Sequence, residues 1–227
     1  MKTLLLTLIS VLALNSYAQN VNIPDAYFKA YLVGNTAINT NADTEIQVSE
    51  ANAFGGEIKC KGRGISDLTG IEAFTALTSL DCRKNQLTSL DVSQNTALTG
   101  LICYYNQLTS LDVTQNTALI GLTCDNNQLT SLDVTQNTAL IGLSCHHNQL
   151  TSLDVTQNTA LIELTCDNNQ LTCLNVKNGN NTNLNLVAYL NPNLTCIEVD
   201  DVAYCNTEGS RWNSGGSGGH IDGQMSY

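Results

Sequence analysis

A cysteine beside two histidines, Cys145-His146-His147, is the stretch of this chain that most suggests chemistry. Thiolate and imidazole groups bind transition metals, and a cysteine with a histidine can also act as a nucleophile with its base. Asp125 and Asp167 stand 21 residues before and after His146. A fold with that period places the three side chains in one column. The sequence therefore raises a metal site, or a metal-dependent hydrolase, at Asp125, His146 and Asp167.

A second interpretation is that the triplet is one copy of a repeated pattern, and we favour it. The sequence shows neither an activated nucleophile nor an enclosing pocket. A histidine between two aspartates also relieves their mutual repulsion without any metal. We therefore expect a protein that is not an enzyme and that requires no cofactor.

The repeat itself is nearly exact. Cysteines recur every 21 residues, and the surrounding text follows LxxLxCxxNxLxxLDVxxNxx over residues 77 to about 176; the cysteines are Cys82, Cys103, Cys124, Cys145 and Cys166. Residues 54–76 form a divergent first copy, with Cys60 in the same register. A fixed period of this length predicts a solenoid, because one coil cannot bury its own leucines and stacked coils can.

This pattern resembles the exported bacterial leucine-rich repeat proteins of the Bacteroidetes type, in which two LxxLx(L/C/V)xxN half-repeats are nested in one coil. The resemblance implies a curved leucine-rich repeat solenoid. Its parallel sheet of short strands is expected to have few helices beyond an N-terminal cap. We place a signal peptide at 1–18, a helical cap at 19–56 and the solenoid at 57–200. An incomplete C-terminal cap with a flexible Gly/Ser-rich tail is predicted at 201–227.

Strand alternation predicts that the leucine before each ladder cysteine and the cysteine itself face the core. The cysteines are then expected to be free buried thiols that behave as small hydrophobic groups. Two asparagine columns are expected to satisfy backbone groups at the turns. Their members are Asn85, Asn106, Asn127, Asn148 and Asn169, and Asn95, Asn116, Asn137 and Asn158.

The repeats differ mainly at the two residues after each cysteine and at the outward strand position. In the family that the sequence resembles, these positions line the concave face, where partners usually bind. We interpret them as a binding face, although unselected drift at exposed positions explains the same variation. The predicted binding residues are Arg83, Lys84, Ile102, Tyr104, Tyr105, Asp125, Asn126, His146, His147, Asp167 and Asn168.

We expect a polypeptide partner on this face, in protein binding or cell adhesion. Glycan binding through Tyr104 and Tyr105 is the alternative, and a purely structural spacer is a further one. The net charge of −11 and the lack of a basic patch argue against nucleic acid and anionic membrane surfaces. The apolar run in residues 4–14 is too short to span a membrane and predicts export, so the expected location is extracellular or the cell surface.

The N-terminal cap carries a second candidate site. Residues 22–33 read as a short helix with Pro24 in its first turn. Residues 39–50 then resemble a degenerate EF-hand loop, with predicted ligands at Asn39, Asn41, Asp43, Glu45 and Glu50. Thr44 replaces the turn glycine, and two asparagines replace aspartates, which weakens affinity. Ca²⁺ is thus the candidate ion for this loop, and the alternative is a simple capping loop.

Two smaller features complete the candidates. LTCLNV and LTCIEV are nearly the same motif 23 residues apart, which predicts a disulfide between Cys173 and Cys196, with Cys196–Cys205 as the competitor.

One aspartate per LDV motif also forms a column of like charge: Asp91, Asp112, Asp133 and Asp154. Calcium can bridge such a column, but bonding to nearby Ser, Thr or backbone groups is the favoured interpretation.

Overall fold

Three-residue strands recur through a computed structural model that describes residues 19–201. Ten strands are present in this range: β1 (Glu57–Lys59), β2 (Ser79–Asp81), β3 (Gly100–Ile102), β4 (Gly121–Thr123), β5 (Gly142–Ser144), β6 (Ser152–Asp154), β7 (Glu163–Thr165), β8 (Cys173–Asn175), β9 (Asn185–Val187) and β10 (Cys196–Glu198). One parallel sheet has the order β1-β2-β3-β4-β5-β7-β9. The predicted solenoid of short parallel strands is confirmed.

The register of this sheet stacks equivalent residues of successive repeats. Leu101 lies opposite Leu122, and Leu122 lies opposite Leu143. The central residue of each of the seven strands is at most 2% exposed. The cysteine that follows a strand also points inward, and Cys60, Cys82, Cys103, Cys124, Cys145 and Cys166 are all fully buried. Full burial of one leucine contributes about 1.5–3 kcal/mol, so the stacked columns supply the main driving force for the fold.

A smaller parallel sheet forms from the second half of the repeats, in the order β6-β8-β10. Leu153 and Leu174 face each other in its register and are buried. Among the earlier repeats the equivalent positions make only an isolated bridge, between Asp91 and Asp112. The two sides of the solenoid enclose one continuous apolar cluster.

The first asparagine column satisfies the turn that follows each strand. Asn127 donates from Nδ2 to the carbonyls of Cys103 and Cys124, both at 3.1 Å. Its Oδ1 accepts the backbone N–H of Leu108 at 3.0 Å. Nδ2 also donates to the carbonyl of Asp125 at 3.2 Å, so one side chain joins four peptide groups of two adjacent coils. Buried peptide groups need such partners, so the predicted role of this column is found in the structure.

The second asparagine column has a different hydrogen-bond pattern. Asn116 donates from Nδ2 to the carbonyls of Val92 and Asn95, each at 2.9 Å. Asn137 repeats the arrangement one coil later, with the carbonyls of Val113 and Asn116. These side chains are fully buried, and each one again links consecutive coils.

Two helices precede the first strand, α1 (Ala26–Val33) and α2 (Val48–Ala53). Asp25 caps α1 by accepting the N–H groups of Tyr27 and Phe28 at 2.9 and 3.0 Å. Pro24 therefore lies before the N-cap residue and not in the first turn, where the sequence had suggested it. Phe28 and Leu32 are fully buried, so the helical cap covers the end of the apolar core.

Within residues 19–201, no helix is sufficiently long and apolar to cross a membrane. The segments predicted as a signal peptide, 1–18, and as most of the C-terminal cap and tail lie outside the described residues.

Replacing Asn127 with alanine tests the first asparagine column. The buried N–H of Leu108 loses its acceptor, and the carbonyls of Cys103 and Cys124 each keep only the donor from the neighbouring column residue. The free energy of unfolding should therefore fall by about 2 kcal/mol. Gln128→Ala is the matched control, because its side chain is exposed one residue later, and it should cost less than about 0.5 kcal/mol. Urea denaturation followed by circular dichroism measures both. Equal destabilisation by the two substitutions would contradict the role assigned to Asn127.

Candidate interaction surface on the seven-stranded sheet

The surface that varies among repeats is built by two adjoining sets of residues. The first and third residues of each strand point away from the leucine core. The two residues after each ladder cysteine, which we call the rim, continue that surface beyond the strand. We refer to both sets together as the sheet face. It is mostly half-buried or exposed along β2, β3, β4, β5 and β7.

The structure divides the predicted binding residues by accessibility. Exposed side chains belong to Lys84, Tyr105 and His147, and half-buried ones to Arg83, Ile102, Tyr104, Asn126, His146 and Asn168. Asp125 and Asp167 are only 6% and 4% exposed. These two carboxylates therefore lie beneath the surface and offer little accessible area to a partner.

The second rim residue of every coil has a left-handed backbone. Its φ is 57° at Lys84, 52° at Tyr105, 51° at Asn126, 50° at His147, 53° at Asn168 and 54° at Leu190. Asparagine tolerates this conformation, whereas Lys, Tyr, His and Leu lose about 1–2 kcal/mol in it. This column was not among the residues predicted from the sequence. Gly62, Asn126 and Asn168 in equivalent positions were the signal, because glycine and asparagine favour positive φ.

A floor of glycines crosses the middle of the sheet face. Gly100, Gly121 and Gly142 pair side by side on β3, β4 and β5. A Cβ atom added to Gly121 or Gly142 would meet no atom within 4 Å. Local packing therefore does not require glycine here, although glycine weakens a strand. The space above these residues is open to an approaching backbone.

An isoleucine column borders the glycine floor, and sequence reasoning also missed it. Ile120, Ile141 and Ile162 precede β4, β5 and β7 and are 46%, 42% and 40% exposed. Their backbones are hydrogen-bonded in series, Ile141 to Ile120 and Ile162 to Ile141, at 2.8 and 2.9 Å. Three large apolar side chains are thus adjacent and open to solvent. An apolar patch of this kind is typical of an interaction site.

Cationic and aromatic side chains meet at the N-terminal end of the rim. The Arg83 guanidinium lies 3.3 Å from the Asp81 carboxylate and donates to the Tyr104 hydroxyl at 3.0 Å. The Lys84 ammonium lies 5.7 Å from the centre of the Tyr105 ring. The two tyrosine rings meet edge to face, with centroids 5.4 Å apart and planes inclined by 70°. They do not form one flat stacking platform.

A three-residue hydrogen-bond cluster lies farther along the rim. Ser144 donates from Oγ to Asp125 Oδ1 at 2.6 Å. His146 Nδ1 lies 3.2 Å from both Ser144 Oγ and Asp125 Oδ1, and the His146 backbone N–H also donates to that carboxylate. The cluster therefore holds His146 in place against the buried aspartate. Burial raises the pKa of the Asp125 carboxyl above its ordinary value, although the bonds from Ser144 and the nearby His146 act in the opposite direction.

The structure brings together only part of the proposed metal site. Asp125 and His146 are in contact, but Asp167 accepts a hydrogen bond from Asn168 at 2.6 Å. In the described part of the chain, the ligand atoms of these three residues are not all within 4.8 Å of one another. This arrangement does not favour a metal there.

Burial also controls the chemistry of the ladder cysteines. It raises the pKa of the Cys60 thiol to about 12, and it raises the pKa of Cys145 well above its ordinary value. A thiol needs ionisation and access to act as a nucleophile. Cys145 therefore has a structural place in the core, whereas His146 belongs to the rim.

The EF-hand-like loop directs its polar atoms at one another. Asp43 accepts the backbone N–H of Glu45 at 2.7 Å and the side chains of Asn41 and Gln47 at 3.0 and 2.9 Å. Asn39 is buried and donates to the carbonyls of Val33 and Asp43.

The two glutamates of that loop have partners as well. Glu50 accepts the N–H and hydroxyl of Thr40 and the N–H of Gln47, the residue before α2. Glu45 pairs with Lys29 of α1 at 2.7 Å. These bonds are those of a loop that caps the solenoid, and calcium binding stays a prediction.

The aspartate column is bonded to its own turns. Asp112 Oδ1 accepts hydrogen bonds from the N–H and hydroxyl of Thr114 at 2.9 and 2.7 Å. Asp133 Oδ1 accepts the same two bonds from Thr135. This is the bonding to Ser, Thr and backbone that the sequence favoured.

The C-terminal cysteines are neighbours in the smaller sheet. Cys173 lies opposite Cys196 in the register of β8 and β10, and their Sγ atoms are 2.6 Å apart. Within residues 19–201, these cysteines and Glu198 also form the one group of three metal-binding residue types with ligand atoms inside 4.8 Å. The Cys173–Cys196 disulfide stays a prediction, and Cys205 lies outside the described residues.

Comparison with known proteins places this surface on a familiar scaffold. No family model matches the chain. Internalin J of Listeria monocytogenes is 51% identical over 38 residues, which are 17% of this chain and 4% of that protein. The functional domain of InlJ, described as including a cysteine ladder, is 35% identical with a TM-score of 0.58. That match covers 82% of this chain and 49% of the InlJ chain, so this chain spans about half of the length of its relative.

More distant structures show the fold alone. Internalin C2 of the same species matches with a TM-score of 0.61 and 20% identity, over 85% of this chain and 95% of that chain. Together the coils, the sheet and these matches define a leucine-rich repeat protein. Within that class, the chain is related to the Listeria internalins.

Two substitutions at Tyr105 test the backbone strain of the rim. Tyr105→Ala and Tyr105→Gly remove the same ring, but only glycine relieves the left-handed φ. The glycine variant should therefore have the larger free energy of unfolding, by about 1 kcal/mol. In ordinary backbone the order is reversed, because glycine has more freedom to lose on folding. Urea denaturation measures the free energy of unfolding of both variants. A more stable alanine variant would show that the backbone of Tyr105 is unstrained.

The Asp125 cluster predicts a pH dependence. A carboxyl whose pKa is raised by folding binds protons more readily when folded, so it lowers stability as pH rises from its unfolded pKa through its folded pKa. The change in the free energy of unfolding caused by Asp125→Asn should therefore be more favourable at pH 7 than at pH 3. Asp133→Asn is the exposed control and should not show that increase, since its pKa is lowered, first by the Thr135 N–H bond. Denaturation at the two pH values measures the difference. A smaller effect of Asp125→Asn at pH 7 than at pH 3 would refute the assignment.

Proposed function

We propose that this protein is an exported, non-enzymatic binding module whose sheet face holds a polypeptide partner, in adhesion or another surface interaction. The glycine floor is the observation that carries the proposal. Glycine occupies one position on each of three adjacent strands, although the open space above would accommodate larger residues that stabilise a strand. These positions lie beside an exposed apolar column. A polypeptide backbone can approach the floor closely while its side chains contact the isoleucines.

The contacts of the tyrosines support a polypeptide over a glycan. Sugar rings stack on flat aromatic faces, whereas Tyr104 and Tyr105 are inclined by 70° to each other. The Arg83 guanidinium also lies 5.3 Å from the centre of the Tyr104 ring and covers one of its faces. The pair is therefore poorly arranged to hold a sugar between or across its rings.

The contacts of the Asp125 cluster support a non-enzymatic role. The Ser144 hydroxyl donates its one proton to the Asp125 carboxylate. His146 is thus not placed to remove that proton, as a general base beside a nucleophile must be. Export rests on the sequence of residues 1–18 and agrees with a relationship to the internalins.

A bulky substitution on the glycine floor tests the binding face. Peptides selected on the full chain from a phage-displayed library of random 12-residue sequences serve as probes. Gly121→Trp should weaken their binding at least about tenfold, because the indole fills the open space above β4. The same space allows the variant to fold, which circular dichroism and thermal melting verify.

Thr130→Trp is the matched control, since Thr130 is exposed in the same coil but lies outside the sheet face. It should leave peptide affinity unchanged. Peptides that bind the Gly121→Trp variant as tightly as the unaltered chain would overturn the proposed binding face.

A further inference from the structure

The basic residues of this acidic chain are concentrated at one end of the sheet face. The sequence has nine Lys and Arg residues, and five of them fall between residues 59 and 84: Lys59, Lys61, Arg63, Arg83 and Lys84. Residues 85–176 contain no Lys or Arg and seven Asp or Glu. The net charge of −11 therefore conceals a local positive region, and the expectation from the sequence that the chain has no basic patch is wrong.

Backbone pairing brings these residues into one patch on the first two coils. The Gly62 N–H donates to the carbonyl of Arg83 at 3.0 Å, so the rim of the first coil lies against that of the second. Arg63 extends toward the helical cap, where its guanidinium lies 4.7 Å from the Tyr31 ring centre. We call Lys61, Arg63, Lys84 and the adjacent Tyr105 the basic end.

Most other cations of the described chain already have an anionic partner. Lys59 pairs with Glu57 at 2.6 Å, and Arg83 pairs with Asp81 at 3.3 Å. Away from this end, Lys29 pairs with Glu45 and Lys177 pairs with Glu198. Across residues 19–201, no carboxylate lies within 4.0 Å of the charged groups of Lys61, Arg63 or Lys84, whose side chains are exposed. Three positive charges are thus available to an external anion.

An exposed aromatic ring beside a cation gives a second reason to assign a function to this end. Tyr105 is 52% exposed, and its ring lies against the Lys84 ammonium. Lys84 and Tyr105 both occupy left-handed positions, where asparagine or glycine is more stable. His147 and Leu190 share that backbone conformation, so strain by itself does not distinguish the basic end. The exposed ring beside three unpaired cations does.

We propose that the basic end binds an acidic segment of the polypeptide partner, whose chain continues across the glycine floor. This inference rests on the proposed function and specifies its partner. Adjacent coils lie about 4.8 Å apart, so the second and fourth coils are separated by about three residues of extended chain. Carboxylates at one end of a short segment meet Lys61, Arg63 and Lys84. Apolar residues at its other end meet Ile120 and Ile141.

The apolar continuation favours a polypeptide over an anionic polysaccharide. A sulfated or carboxylated sugar chain satisfies the cations but has no side chains for the isoleucine column. A segment with acidic and apolar halves satisfies both. The partner class is therefore a peptide segment with Asp or Glu followed by large apolar residues, in either chain direction.

The library of random 12-residue peptides described above provides the test, with the full chain as bait. Selected peptides should be enriched in Asp and Glu next to apolar residues, in spite of the negative charge of the bait. Lys84→Glu and Arg63→Glu should each weaken a selected fluorescein-labelled peptide by about fivefold to tenfold. The affinity should also fall by about fivefold or more when the salt concentration is raised from 50 to 500 mM, because salt screens the charges.

Lys177→Glu is the control, because Lys177 is exposed and basic and follows β8 of the smaller sheet, outside the sheet face. It should leave the affinity unchanged, and all variants should keep the melting curve of the unaltered chain. Some selected peptides could lose binding to Gly121→Trp and yet lack acidic residues, or bind Lys84→Glu and Arg63→Glu with unchanged affinity. Either result would overturn this inference and leave the proposed binding face intact. Peptides indifferent to Gly121→Trp would instead remove the proposed function. Heparin that binds at the same residues while no acidic peptide does would replace the polypeptide with a polysaccharide.

Discussion

Each coil joins the next through a parallel strand of only three residues, and this register decides where every other side chain stands. Leucine lies over leucine, cysteine over cysteine and asparagine over asparagine. A shift by one residue would turn the leucines to solvent and separate the asparagine amides from the carbonyls that they join. Core packing and turn hydrogen bonding therefore depend on one another, and neither can be formed correctly without the other.

This constraint leaves the sheet face free to vary. The outer strand positions and the rim take no part in the leucine core, so the chain can place arginine, tyrosine, aspartate or histidine at the same point of successive coils. The freedom has a limit at the second rim residue, where the left-handed backbone disfavours most side chains. Residues other than glycine and asparagine therefore stand there at a cost in stability.

The fold could be predicted from the sequence because its forces repeat with the period of the text. Leu143, Cys145 and Asn148 have the places that the 21-residue spacing gives them. The site was less predictable because it depends on local geometry within one coil. Period alone does not reveal that Asp125 is buried by the turn and bonded to Ser144, or that Ile120 is left outside the core. Pro24 shows the same limit at a helix end.

The near-identity of the coils has a consequence for how such a protein can change over evolutionary time. Because one coil docks on any other in the same way, a duplicated or deleted repeat alters the length of the array without new packing problems. The distance between the basic end and the isoleucine column can then change in steps of about 4.8 Å. Recognition can be retuned by copying whole coils, and the side chains on each coil can keep their local contacts.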